Sequence, residues 1–303
     1  MDRGALHGVH REHLSFAFNR QDSSSPKNFV EVTRERLIFV AAIQTVDIPH
    51  FATLLVEVDQ SQCHVTFNRP KKLNALSTEL LQEIIRLSHW LHTCDEIRVV
   101  TIAGAGRTFS AGFDLGNLTS ATVGESPRTS ADLGRLATEA LTNVPQLTIA
   151  AVHGHCVGGG VVLVGACDLR IATVGATFII PEVDLGIPLA WGGIPRLVRE
   201  IGPALTKELV LTCRPFGAQE AKDIGFINRV VEENDLMNHV TELARSLAAK
   251  PLFALRSTKQ QVNAVMEEIA GTGRSANDAD SLVYAMRDPE SKQAMARYME
   301  QRK

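Results

Sequence analysis

The stretch HGHCVGGGVVLVGACD at residues 153–168 constrains the fold more than any other, because three consecutive glycines separate a short apolar run from an amphipathic one. This pattern reads as strand, bare turn, helix. Without a Cβ, Gly158, Gly159 and Gly160 let the backbone enter conformations that other residues avoid, and let a ligand approach the main chain closely. The first amides of the helix that opens here have no intrahelical acceptor and sit at its positive end. They can therefore donate to an oxygen that carries negative charge. Tight packing of helix on strand is the alternative reading of a glycine run taken alone. A second glycine-containing turn, RTFSAGFDL at 107–115, also follows an apolar run, VVTIAG, and strengthens the ligand-facing reading.

A chain of 303 residues can bury a sizeable core. Its net charge of −3 argues against a general nucleic-acid binder, so any anionic ligand has to be met by local groups. The cysteines, Cys63, Cys94, Cys156, Cys167 and Cys213, are odd in number, lie mostly inside apolar runs and lack zinc spacing. They read as buried thiols in a reducing compartment, taken as the cytoplasm, with no metal site. No apolar stretch approaches the roughly 20 residues of a membrane span. Residues 1–50 stand apart as an N-terminal extension, polar up to Lys27 and Ser-rich at 22–26, and are expected to be partly disordered.

From Phe51 the pattern becomes regular. TLLVEVD at 53–59 and CHVTFN at 63–68 alternate as a strand pair about a turn at Gln60, Ser61 and Gln62. Ser77 is a good N-cap for a helix with Glu79 in its first turn and Leu80, Ile84, Leu87 and Leu91 at helical spacing. IRVVTIAG at 97–104 is a buried strand, residues 119–130 form a polar loop, and a helix follows to about Val144. QLTIAAVHG at 146–154 is a strand leading into the triple glycine, with DLRIAT and TFIIPEVDLG as short strands beyond it. After Pro203 strand signals nearly vanish apart from FINRVV at 226–231, and helices are predicted to start near Pro203, Gly217, Asp235, Pro251 and Asp288. The sum is an α/β core followed by a C-terminal α-helical region.

FNRPKKLNALS, GAGRTFSAGFDL, HGHCVGGGVVLVGACDLRIA, FIIPEVDLGI and AQEAKDIGFINRVV resemble the crotonase (enoyl-CoA hydratase/isomerase) superfamily in order and spacing, over roughly residues 52–265. The resemblance implies ββα units wound into a spiral core (51–245) and a C-terminal helical region (246–303) that packs in homotrimers or dimers of trimers. It implies acyl-CoA substrates, with coenzyme A part of the substrate and no further cofactor. By resemblance, the amides of Phe113 and Gly159 form an oxyanion hole, and Ala111, Asp114, Leu115 and Gly116 line the acyl-CoA groove. Lys71 and Ala75 match positions against the nucleotide end of the coenzyme, and Trp191 falls where the family packs a loop over the acyl chain, as a wall of the acyl pocket or, equally, as an indole that fills core. Arg69, Lys71 and Lys72 could supply positive charge for its phosphates, a solvated turn being the alternative. Phe113 departs from the small residue common in the family's hydratases, which leaves its amide intact but reshapes the pocket.

The family's hydratases carry two glutamates, one two residues after the triple glycine and one in a PE dipeptide further on. Here those positions hold Val162 and Glu182. Hydration needs a group to activate water and a proton for the α-carbon, whereas one base can move a double bond by taking a proton from C2 and returning it at C4. The resemblance therefore favours Δ3 to Δ2 enoyl-CoA isomerisation through Glu182 in fatty-acid metabolism. Enoyl-CoA hydratase, acyl-CoA hydrolase and a noncatalytic acyl-CoA-binding subunit are the alternatives. Asp184 reads as a turn residue before Gly186, Asp168 as structural, and His153 and His155 as buried histidines bonded to backbone. Ala190 stands where dienoyl-CoA isomerases carry an aspartate.

Overall fold

The computed structural model describes residues 47–116 and 126–301, all within the unit Thr45–Lys303. Residues 1–46 of the expected extension and 117–125, which include most of the expected polar loop, lie outside the described residues. Strands β1 (Leu54–Asp59) and β2 (Gln62–Phe67) pair antiparallel about a turn tighter than expected, Gln60 and Ser61 alone, with Gln60 left-handed at φ 53°. Helix α1 (Thr78–Leu91) starts where expected: the Ser77 hydroxyl accepts from the Leu80 amide at 3.3 Å, and Leu80, Ile84, Leu87 and Leu91 are all buried. The remaining elements in order are β3 (Val99–Gly104), α2 (Pro127–Thr142), β4 (Leu147–Val152), β5 (His155–Val157), α3 (Gly159–Gly165), β6 (Leu169–Thr173) and β7 (Thr177–Ile179). They continue with α4 (Gly193–Thr212), β8 (Phe216–Gly217), α5 (Ala218–Asp223), β9 (Arg229–Val231) and α6 (Leu236–Ala248). Helices α7 (Leu252–Ala270), α8 (Asp278–Ala285) and α9 (Pro289–Glu300) close the chain.

The larger sheet runs β1-β2-β3-β4-β6-β9, parallel throughout except for its first pair. The smaller runs β5-β7-β8, and isolated parallel bridges, Ser110 to Cys156 and Leu76 to Phe113, carry related pairings back toward the start of the chain. Each turn of the winding is thus a strand in the large sheet, a short segment paired in the second ladder, and a helix: β4, β5, α3, then β6, β7 and, after a loop, α4. This is the expected spiral of ββα units with its helical C-terminal region. The apolar strands of the large sheet fit burial on both faces, as parallel sheets require.

Several elements differ from expectation: α2 already starts at Pro127, inside the expected loop, β7 stops at Ile179 and β9 covers only Arg229–Val231, and two further differences have a visible cause. The strand at 146–154 is broken in two, because Gly154 at φ 58° ends β4 and redirects the chain into β5. Three residues are too few for periodicity to reveal β5. Helix α4 begins at Gly193 rather than near Pro203. Gly202, at φ 75° and ψ 167°, breaks it there, so Pro203 opens only its second half.

The C-terminal helices are tied to the spiral by polar contacts from distant positions. Arg98 of the β3 approach donates to the carbonyls of Ala248 and Lys250, at 2.9 and 3.1 Å. Buried Lys259 of α7 donates to the Gln146 carbonyl and to Asp168, both at 2.8 Å, and Asp168 also accepts from Thr148. Asp168 is structural, as expected. Arg199 of α4 holds Glu267 and the Ala270 carbonyl.

A buried carboxylate secures the other end. Glu83 on α1 accepts from the amides of Ala52 and Thr53, at 2.7 and 2.8 Å, and from the Thr53 hydroxyl, which fixes the entry into β1. Burial pushes its pKa up, but the Thr53 hydroxyl, the two amides and the Arg86 charge outweigh it and hold the group below the usual glutamate value. A depressed folded pKa gives stability that is present above the unfolded value and lost as pH falls through the folded one. Glu83→Gln is expected to lose about 1–3 kcal/mol at pH 7, a fall of a few degrees in Tm. The gap from wild type should shrink below about pH 4; matching melting curves at pH 7 would remove the clamp from the account.

Candidate active site

The site begins with two backbone segments laid side by side. Ala111 donates its amide to the Leu73 carbonyl at 2.9 Å, Leu76 donates to Gly112 at 2.8 Å, and Asp114 donates to Leu76 at 3.1 Å. In this parallel pairing the bonds flank Phe113, so its own N–H is left out of the ladder. Gly159 is the first residue of α3, whose opening amides have no intrahelical acceptor. Among the described residues, neither the Phe113 nor the Gly159 amide donates to another group.

The pairing is held by Asn74, which is fully buried and left-handed at φ 51°. Its amide nitrogen donates to the carbonyls of Ala105 and Thr108, at 2.8 and 2.7 Å, and its carbonyl oxygen accepts from the Arg69 amide at 3.0 Å. The Ser110 hydroxyl donates to the Asn74 carbonyl at 2.9 Å. Neither Asn74 nor Ser110 stood out in the sequence. The available signal was an Asn at the end of a Pro-containing turn, a position where αL is tolerated, but its partners lie more than thirty residues away.

Of the three basic residues in this turn, Arg69 is not free for phosphates. Its guanidinium pairs with Asp114 at 2.9 Å and donates to the Ala75 carbonyl, so it ties together the two segments that carry the expected groove residues. Lys71 and Lys72 stay exposed at the end of the turn. Ala75, Ala111 and Leu115 are half-buried along the paired segments, and Gly116 is exposed with its amide on Asp114 at 3.2 Å.

The triple glycine closes the other side. Gly158, at φ 50°, has no room for a Cβ, because the Glu182 carboxyl lies against it. Glu182 follows β7 in a turn where Leu185 donates to Pro181 at 3.1 Å and Ile187 donates to Glu182 at 2.9 Å. Its Oε2 is buried with no hydrogen-bond partner among the described residues. Burial, only partly offset by its own backbone amide, pushes the carboxyl up to about 7. Asp184 is exposed in the same turn, as a turn residue before Gly186. Val162 is buried in α3, and Gly193 packs so closely on it that a Cβ there would meet Val162 Cγ2 at 2.9 Å. His153 bonds the Gly106 carbonyl at 2.9 Å as expected, whereas His155 is exposed rather than buried. Trp191 packs over Gly159 and edge-on to Phe113, with ring centroids 5.8 Å apart. The structure thus brings Phe113, Gly159, Glu182 and Trp191 together.

An enoyl-CoA hydratase/isomerase family model matches residues 57–303. The chain belongs to this family. A short-chain-enoyl-CoA hydratase of Clostridium acetobutylicum is 34% identical over 251 residues, covering 82% of this chain and 95% of the relative. A peroxisomal Δ(3,5)-Δ(2,4)-dienoyl-CoA isomerase of Arabidopsis thaliana is 37% identical over 213 residues, covering 66% and 77%. Among solved structures, an enoyl-CoA hydratase/isomerase from Mycobacterium paratuberculosis superposes with a TM-score of 0.74 at 27% identity, covering 83% of this chain and 99% of that one. In family terms, two unpaired amides beside a buried base of raised pKa can stabilise charge on a thioester oxygen while a proton moves at a neighbouring carbon.

The raised pKa also has a cost to the fold. A carboxyl that titrates near 7 when folded is destabilising in its charged form. The penalty grows as pH rises from the unfolded value to about 7 and is constant above it. Glu182→Gln is expected to be more stable than wild type at pH 8, by up to about 3 kcal/mol, and to lose that advantage near pH 4. Thermal melts of both proteins at both pH values check this, and an advantage over wild type no larger at pH 8 than at pH 4 would contradict it.

Proposed function

We propose that the protein is a Δ3,Δ2-enoyl-CoA isomerase of fatty-acid metabolism, with Glu182 as the single proton carrier. The observation that carries this reading is one buried carboxyl beside the two free amides, with apolar Val162 at the second acid position. The Glu182 carboxylate takes a proton from C2 of a 3-enoyl thioester, and the electron pair moves onto the carbonyl oxygen as a dienolate. The amides of Phe113 and Gly159 stabilise that oxygen, each donor contributing about 3–4 kcal/mol. The same carboxyl then returns the proton at C4, and the double bond is left between C2 and C3. No water enters and no charge is gained. A pKa of about 7 suits a group that must act as base and acid within one turnover.

Lys71 and Lys72 are the free cations of the 69–72 turn, and they supply charge to the nucleotide phosphates beside Ala75. Five unpaired cysteines, all buried, fit a reducing compartment, taken here as the cytoplasm. Among the described residues no helix is long and apolar enough to cross a membrane.

Hydration is the second reading, favoured by the identity with the Clostridium hydratase. The two separate by product analysis with 3-enoyl-CoA and 2-enoyl-CoA side by side. Wild type is expected to convert the 3-enoyl ester, with a rate that rises with pH through about 7. Glu182→Gln should lose at least about 10²-fold in kcat with little change in acyl-CoA affinity. Rapid hydration of the 2-enoyl ester, with the 3-enoyl ester left untouched, would defeat the single-carboxyl mechanism.

The assembly is a homotrimer or a dimer of trimers built on the C-terminal helices. Val262, Val265 and Ile269 fall on one side of α7 at helical spacing, and all three are exposed, as is Phe253 in its first turn. Sedimentation at micromolar concentration is expected to give a trimer or hexamer, and Val265→Asp to shift it toward monomer. A stable wild-type monomer would refute the assembly without touching the chemistry.

A further inference from the structure

The one aromatic pair at the candidate site is built with more constraint than packing alone requires. Trp191 holds a left-handed backbone conformation, φ 63°, which a bulky non-glycine residue adopts only where its surroundings over-determine it. Those surroundings are specific. The Thr138 hydroxyl of α2 donates to the Trp191 carbonyl at 3.0 Å, and the next amide, Gly192, donates to Asp278 at the start of α8 at 2.9 Å. The indole is admitted from both sides by glycine: a Cβ on Gly134 would overlap its five-ring and fusion atoms, and a Cβ on Gly159 would overlap its six-ring. Phe113 meets it edge-on, at an interplanar angle of 86°.

Phe113 and Gly159 are also residues whose amides have no acceptor among the described residues. A thioester oxygen seated on both brings the first acyl carbons against the Phe113 ring and the indole over Gly159. The indole has no slack to swing away, because its backbone is tethered at two successive residues and its rings are wedged between α2 and α3.

We infer that Trp191, backed by Phe113, is the residue that sets acyl chain length, and that the site takes short-chain acyl-CoA thioesters and rejects long ones. Thr138 and Asp278 are positioning residues: they act on the acyl chain only through the indole. The inference rests on the oxyanion reading of the two amides.

The test compares 3-butenoyl-, 3-hexenoyl- and 3-dodecenoyl-CoA as substrates, together with calorimetric binding of the saturated butyryl-, hexanoyl- and dodecanoyl-CoA esters, which needs no turnover. Wild type is expected to favour the short over the dodecyl ester by at least about tenfold in both kcat/KM and Kd. Trp191→Gly keeps the left-handed backbone without strain and should cut that preference at least about tenfold, mainly by improving the long ester. Phe113→Ala retains the amide and should act in the same direction, which supplies a second reading should Trp191→Gly fail to fold. Thr138→Val should relax the length preference in KM more than in kcat, a pattern that simple loss of stability does not produce. Equal binding of short and long esters by wild type, or an unchanged preference in the folded variants, overturns the assignment to Trp191. Failure to bind any acyl-CoA would instead count against the oxyanion reading beneath it.

Discussion

The parallel alignment of residues 73–76 with 111–114 is the constraint from which the rest of the site follows. Three backbone hydrogen bonds use the amide of Ala111, the carbonyl of Gly112 and the amide of Asp114, and this forces the Phe113 N–H to point away from its partner strand. One slip in register would reverse which amide is free. Register is set by Asn74, whose side chain fills three bonding positions inside the turn, and by the Arg69–Asp114 pair across it. A polar side chain this deeply buried is tolerated because its amide group is fully bonded.

Much of this was legible in the sequence, and the part that was legible is local. Ser77 at its cap, the α1 stripe, the β1–β2 pair and the two glycine turns all announce themselves within a dozen residues. Glu182 stands out only through the resemblance to the family, since a Pro-Glu step after a strand reads by itself as a carboxylate at a turn. What stayed hidden depends on partners far away. Asn74 reaches Thr108, Thr138 reaches Trp191, and Asp278 reaches back to Gly192 across 86 residues. Nothing near any of these side chains marks its partner. Arg69 shows the same limit from the other side: as sequence it is one cation among three, and only the fold shows that its charge is already used by Asp114.

Glu182 and Val162 are both held against glycines, with very different burdens. Val162 contributes packing against Gly193 and the core. Glu182 is held where its carboxylate is least comfortable, with one oxygen buried and unpaired beside Gly158. Such a group persists because the surrounding chain is rigid enough to keep water and counter-charges from relieving it. The turn that carries it is pinned in turn by helix α9, where Ser291 and Ala294 press on Gly186 closely enough to leave no space for a side chain.

The tether from Asp278 to Gly192 gives the C-terminal helices a share in the shape of the pocket, although they contribute no group to the free amides. Shape is therefore inherited in two pieces. A spiral transplanted onto another helical array would keep its buried carboxyl and its free amides but lose the tether that holds the indole over them. In a lineage, substrate range can drift through substitutions on the outer helices that look neutral by every test of catalysis, while the glycine turns stay unchanged.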